Sequence, residues 1–214
     1  MRGKPFVLVI SGPSGVGKST FVHLLLQSFP ELHFSVSATT RACRRGEEDG
    51  REYHFLGDAE FRRRLAAGEF LEHAEVHGAL YGTLESEVRR ALDAGHSVLL
   101  DVDVQGGVQV KRRVPDAVLV FLLPPSMQAL EQRLRGRQTE AEETIQRRLR
   151  RAPDEMRSLC EYDYVVVNDS LESTRADLEA IVRAERLRRG RLTDDTGGLA
   201  GEYVKEAGPG PSRR

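Results

Sequence analysis

The chain has 214 residues, 39% hydrophobic and 30% charged, with a formal net charge of −1. That length fills one core with room for small inserts, and the near-zero charge excludes a global positive field for nucleic acid or an anionic membrane. Two distant cysteines, Cys43 and Cys160, exclude a disulfide scaffold, and no apolar run suits a signal peptide or a bilayer span, so a soluble, cytoplasmic protein is expected.

Phe6–Ile10 is a continuous apolar, β-branched run, as a strand buried on both faces should be. It leads into a Gly/Ser-rich turn and a helical pattern through Leu24, Leu25 and Leu26. A weaker strand follows at His33–Ser37. Residues 38–84 are polar and Gly-rich at first, then give strand-like pieces at Tyr53–Leu56 and Phe70–Val76 around a helix, Asp58–Ala67, that Gly68 can end. Strands Val98–Val102, Ala117–Leu123 and Tyr164–Val167 alternate with helices near Gly106–Arg113, Ser126–Leu134 and Leu171–Arg189. Such alternation implies a parallel sheet covered on both faces. An arginine-rich stretch, 133–152, interrupts it, with a capping box at Thr139-Glu-Ala-Glu142. Pro153 should kink that helix or start a new one. From Gly190 the Gly, Pro and charged residues predict a flexible tail. The six histidines show no metal spacing, and Arg62-Arg63-Arg64 reads as a solvated helix face.

Gly12-Pro-Ser-Gly-Val-Gly17-Lys18-Ser19 matches G-x-x-x-x-G-K-[ST] between a strand and a helix. The glycines allow the tight path that turns N–H groups toward phosphate oxygens, and the helix N-terminus adds its dipole. Lys18 is expected on the β/γ-phosphates and Ser19 on Mg²⁺. Val98-Leu-Leu-Asp101 supplies a buried strand ending in a carboxylate that can hold the ion through water. Asp103-Val-Gln-Gly106 also fits the D-x-x-G of switch GTPases. Those proteins read guanine with N-K-x-D, whereas Val167-Asn-Asp-Ser170 lacks the Lys and the spaced Asp. That reading fails.

In Ser37-Ala-Thr-Thr40-Arg41-Ala-Cys-Arg44-Arg-Gly-Glu47, two arginines three apart, followed by Tyr53, can converge on one phosphate. An arginine-rich solvated loop is the bland alternative. The segment does not stand alone. Together with Phe70-Leu-Glu72-His-Ala-Glu-Val76, Tyr81-Gly82-Thr83, Asp101-Val-Asp103-Val-Gln105-Gly106, Arg133-Leu-Arg-Gly-Arg137, Arg147-Arg148-Leu149 and Tyr164-Val-Val-Val-Asn168-Asp169, it resembles the guanylate kinase family from about residue 6 to 189.

The resemblance implies an α/β fold: a P-loop parallel sheet flanked by helices (4–36, 85–132 and 153–189), a mixed α/β GMP-binding insert (37–84), a helical lid (133–152) and the tail (190–214). It implies ATP and GMP as substrates, with dGMP as a further acceptor, and Mg²⁺ with the ATP. Residues 12–20 (Gly12, Pro13, Ser14, Gly15, Val16, Gly17, Lys18, Ser19 and Thr20) with Arg133, Arg137 and Asn168 would bind ATP. Arg41, Arg44, Tyr53 and Tyr81 would hold the GMP phosphate. Glu72 would accept from the guanine N1–H and amine, Asp103 would add a contact to that amine, and Ser37, Gly82 and Thr83 would complete the site. Ser19 and Asp101 would hold the metal. Lys18, Arg41, Arg44, Arg137 and Arg148 would carry catalysis. Cys43 stands where the resembled pattern commonly has proline, leaving that loop less stiff.

The chemistry agrees. Adenine presents an acceptor at N1 and no amine at C2, so AMP would leave a reading carboxylate unpaired; such a site rejects the wrong analogue by about 10⁴–10⁵. A phosphate monoester, with a second pKa of about 6, is mostly dianionic at neutral pH, so no general base is needed. Cations must instead bring two anions into line. Two other readings stay open: a kinase acting on a ribose bisphosphate, against which a guanine reader speaks, and a non-catalytic phosphopeptide-binding module, against which the intact Gly17, Lys18 and Ser19 speak. Monomer and homo-oligomer remain equally open.

Overall fold

A computed structural model describes residues 3–76, 78–136 and 142–192. Its main sheet has five parallel strands: β1 (Val7–Ser11), β2 (Leu32–Phe34), β7 (Ser97–Asp101), β8 (Val118–Leu123) and β9 (Tyr164–Val167), in the order β2-β7-β1-β8-β9. Every residue of β1 is buried, because strand alternation gives it two covered faces. Leu8 and Ile10 join Val120 and Leu122 against α1 (Lys18–Ser28) and α7 (Leu171–Leu187), through Phe21, Leu25, Leu178 and Val182. Val7 and Val9 join Leu119 and Phe121 on the opposite face, against α3 (Glu85–Asp93) and α4 (Val104–Arg113).

Beside it lies a second sheet in the order β4-β3-β6-β5, from β3 (Ala38–Thr39), β4 (His54–Phe55), β5 (Phe70–Val76) and β6 (Ala79–Leu84). Its core is small: Phe61 of α2 (Asp58–Ala66) stacks on Phe70 at 4.4 Å between centroids, with Ala38, Leu80 and Leu84 around them. Gly68 follows α2, its N–H reaching the Leu65 carbonyl while the Glu69 N–H reaches Arg64, so the last turn is satisfied. In β5 the pairing slips between Phe70 and Glu72. This bulge sends Phe70 into the small core and Leu71 into the main one, and it aims Glu72 at the space between the sheets.

Several elements differ from the sequence expectation. β6 and α3 were not foreseen. β6 carries Gly82, whose missing side chain is needed because a Cβ there would lie 2.8 Å from the Phe70 ring. In α3, Val88, Ala91 and Leu92 recur at helical spacing and pack on the main core. α4 begins at Val104, two residues before Gly106, because Asp103 caps it by accepting the Gly106 N–H at 2.7 Å.

α5 (Met127–Gly136) and α6 (Glu142–Met156) follow β8 and pack together through Leu130, Leu134, Ile145 and Ala152. The capping box at 139–142 begins outside the described residues. Pro153 neither ends nor restarts α6, which runs on to Met156 before a 3₁₀ segment, Arg157–Glu161. Proline there removes one donor and crowds the Leu149 carbonyl, a local cost met where Ala152 packs into the α5–α6 core.

Nor does the tail begin at residue 190. Arg191 is buried, bonded to the Glu185 carboxylate and the Asp116 carbonyl and lying over the Phe6 ring, while its own carbonyl accepts the Lys4 N–H. Residues 193–214 lie outside the described part. Arg62, Arg63 and Arg64 line α2 in ion pairs with Asp58 and Glu60.

Candidate active site

The two sheets and α6 enclose a cleft of about 420 Å³ at the carboxyl end of β1. Its floor is the loop between β1 and α1. Gly12 and Gly15 there have φ of 144° and 92°, and a Cβ on Gly12 would meet the Leu122 carbonyl at 2.3 Å. Only glycine fits both demands. The Val16 N–H closes a turn on the Pro13 carbonyl, and Lys18 folds its ammonium onto the Gly12 carbonyl at 2.9 Å. Thr20 stands exposed in the first turn of α1. Asp101, at the end of β7, accepts the Ser19 hydroxyl at 3.1 Å. Burial raises the Asp101 carboxyl, opposed by the Lys18 charge and the Ser19 hydroxyl.

Opposite stands the second sheet. Ser37, Arg44, Tyr53, Glu72 and Tyr81 line that wall, with Asp103 between the two. Glu72 is 5% exposed and accepts the Thr83 hydroxyl at 2.7 Å. Burial pushes its carboxyl up to about 7 against the pull of Thr83, and the Asp103 charge adds to the rise. Gly106 makes this pair possible, since a Cβ there would lie 2.7 Å from Glu72 Oε2 and 3.2 Å from Asp103 Oδ1. Gly82 packs beneath the Phe70 ring and against the Glu72 carbonyl and does not itself line the cleft.

Three expected residues sit elsewhere. Arg41 flanks the cleft, its guanidinium over the Tyr53 ring at 5.3 Å and forked onto Glu47. Asn168 is 7% exposed, with Nδ2 donating to the Val16 carbonyl at 2.6 Å and Oδ1 accepting from Thr174. Arg133 donates to the Asn168 carbonyl at 2.8 Å and to that of Val16 at 3.4 Å. These two bracket the loop from behind. A buried amide must be hydrogen-bonded, and here the loop itself supplies the partner. Arg148 reaches the loop from α6, donating to Ser14 Oγ at 2.7 Å. Arg137 lies outside the described residues.

Sequence reading missed Arg147, Arg151 and Glu155, which share the cleft's α6 wall. Their signal was present: Arg151 and Glu155 follow Arg148 by three and seven residues, on one helix face. It also missed Glu47, three residues past Arg44. Cys43 is exposed, its thiol facing the Arg44 and Glu47 carbonyls.

Ser19 and Asp101 bring together a hydroxyl and a carboxylate, the hard oxygen donors Mg²⁺ takes while keeping water and phosphate ligands. Among the described residues no cluster of three or more His, Cys, Asp or Glu could hold a metal by itself. The donor set fits an ion that arrives with nucleotide.

A phosphate-binding loop at the end of a central parallel strand, facing a second anion-receptive wall, defines a nucleotide-binding P-loop transferase. Comparison with known proteins narrows the class. A sequence profile described as Guanylate kinase matches residues 4–185. A guanylate kinase of Methylobacillus flagellatus is 49% identical over 189 residues, covering 88% of this chain and 93% of that one. One from Anaeromyxobacter dehalogenans is 50% identical over 206 residues, covering 95% and 91%. The crystal structure of guanylate kinase from Anaplasma phagocytophilum superposes with a TM-score of 0.76 at 34% identity, covering 94% of this chain and 97% of that one. The chain belongs to the guanylate kinase family.

Proposed function

We propose that the chain transfers the γ-phosphoryl group of ATP to GMP, giving ADP and GDP, with dGMP as a secondary acceptor. One observation carries the acceptor's identity: the buried, Thr83-bonded Glu72 carboxylate beside Asp103, in the same cleft as the phosphate loop. Ionised, Glu72 offers only acceptors, which match guanine's N1–H and amine and mismatch adenine. Family membership supports the same reading.

In this reading residues 12–20 cradle the ATP phosphates through main-chain N–H groups, and Lys18 swings from the Gly12 carbonyl to the β/γ-phosphates. Arg133 and Asn168 serve ATP by holding the Val16 carbonyl, and so the shape of the loop. Arg41, Arg44, Tyr53 and Tyr81 take the acceptor phosphate. Glu72 and Asp103 read the base, with Ser37, Gly82 and Thr83 completing the pocket. Ser19 and Asp101 would hold Mg²⁺, which when bound neutralises charge on the β- and γ-oxygens. Arg148 and Arg137 belong to a lid, 133–152, that closes with the 37–84 insert over the core and excludes water.

Purine nucleotide metabolism in the cytoplasm suits this activity. Among the described residues no helix is long and apolar enough to cross a membrane.

The test is coupled ADP release with ATP and Mg²⁺, offering GMP, AMP, CMP and UMP separately. Turnover is expected on GMP alone. Glu72→Ala removes two charge-assisted hydrogen bonds and should lower kcat/KM for GMP by about 10²–10⁴. ATP binding without turnover on any nucleotide would overturn the assignment.

A further inference from the structure

Arg41 has more partners than a phosphate ligand needs. A guanidinium carries five N–H donors. Nη1 gives one to the Ala42 carbonyl at 2.7 Å and one to Glu47 Oε2 at 2.9 Å, and Nη2 gives one to Glu47 Oε1 at 2.9 Å. The Nε–H and the second Nη2 hydrogen remain, and they share the other edge of the plane. Tyr53 and Phe55 stack against the guanidinium at 5.3 and 5.6 Å, and Tyr81 adjoins it as a hydrogen-bond neighbour.

Glu47 does more than pair with Arg41. Its Oε2 also accepts the Arg44 N–H at 2.8 Å, and its own N–H returns to the Arg44 carbonyl at 3.1 Å. One carboxylate thus ties both arginines of the acceptor wall. Its side chain is only 18% exposed and that of Arg41 16%, unlike the freely solvated ion pairs of α2.

We propose that Glu47 is a positioning residue for the acceptor phosphate. It occupies the end-on fork of Arg41, turns the side-on fork outward, and pins the backbone of Arg44 so that both guanidinium groups serve one point. The proposal rests on the reading that these arginines hold the GMP phosphate. The phosphate has no need to evict Glu47, because Glu47 takes only the end-on fork and leaves the edge that Tyr81, itself read as a phosphate ligand, adjoins. Eviction would also strand the Arg44 N–H.

Steady-state kinetics and GMP titration calorimetry on the full chain test this, with Glu47→Gln, Glu47→Ala and Arg41→Ala. Loss of the fork should raise the KM and Kd for GMP about tenfold or more in Glu47→Ala, the scale of one charge-assisted bond. The KM for ATP should stay within about twofold, unlike the response to general loss of structure. Glu47→Gln keeps one acceptor oxygen and should recover part of the loss. In the Arg41→Ala background, Glu47→Gln should add little, since the two act as one unit. A lower KM for GMP in the Glu47 variants would mean that Glu47 competes with phosphate, and would overturn the proposal. So would an unchanged KM, or equal rises for GMP and ATP. Arg41→Ala with unchanged GMP affinity would instead sink the reading of the arginines themselves.

Discussion

The two walls of the cleft are built from different materials. The donor wall is main chain: glycines 12, 15 and 17 bend a loop whose shape is held by Leu122 behind Gly12 and by Asn168 and Arg133 behind Val16. The proposed acceptor wall is side chain: Glu72 projects from β5, Arg41 and Tyr53 from the segment joining β3 and β4, and each is aimed by a named partner. A wall of peptide N–H groups tolerates no added atom but asks little of side-chain identity. A wall of side chains is specific, and it is only as good as the partners that orient it.

The sharpest break should come from adding one methyl group to the donor wall. In Gly12→Ala the new Cβ would need to sit 2.3 Å from the Leu122 carbonyl at a φ of 144°, so the loop must shift. Turnover should fall about 10³-fold or more through misplaced donors, and ATP affinity measured by calorimetry should fall with it. Retained ATP affinity would show that this wall is softer than its contacts imply.

The same methyl on the acceptor side should be selective. Gly106→Ala places a Cβ 2.7 Å from Glu72 Oε2 and displaces the base reader. The expected loss is about 10²-fold in kcat/KM for GMP, the scale of a 1 Å misplacement, with ATP binding intact. Equal loss for both substrates would mean that the two walls are coupled more tightly than their construction suggests.

A smaller effect separates the walls by pH. Glu72 titrates at about 7 in the folded protein against 4.5 ordinarily. Its neutral form gives the folded state stability that is fully present below 4.5 and is lost as pH rises through 7. On the proposed reading of Glu72, GMP acts in the opposite direction because it pairs with the carboxylate. Its affinity should therefore improve as pH rises, by about fivefold between pH 6 and 7, and level off above about 8. Calorimetry in buffers of different ionisation enthalpy should register proton release near pH 7, and Glu72→Gln should remove most of it, leaving the smaller share from the GMP phosphate. A flat profile between pH 6 and 8 would show that Glu72 is not the titrating reader.

This contrast also explains what the sequence could disclose. A loop made of main chain leaves its mark as spacing, so residues 12–19 were legible at once, as were β1 and β8, whose apolar runs answer to two covered faces. Side-chain aiming leaves no such mark. Glu47 looks like any glutamate in a charged loop until the chain folds back at Gly46. Asn168 was expected beside a nucleotide, whereas its amide is turned inward on Val16, a choice made by burial. β6 escaped because Gly82 is a poor strand residue by propensity, and its place is set by the Phe70 ring above it. Arg191 read as tail, since nothing local predicts that it would fold back onto the buried Glu185 carboxylate and the Phe6 ring.

The order of strands in the main sheet bears on how the protein is made. β1 is made before the other strands yet forms the middle of the sheet, and its partners begin at Ser97 and Val118. At about 5–20 residues per second, several seconds pass in which an apolar strand has both edges open, the situation that invites wrong pairing. The phosphate loop shares that wait. The surface that shapes Gly12 is Leu122, and the amide that holds Val16 belongs to Asn168. A nascent chain therefore carries the complete phosphate-loop motif long before the residues that hold its shape, the last of them Asn168, have been made.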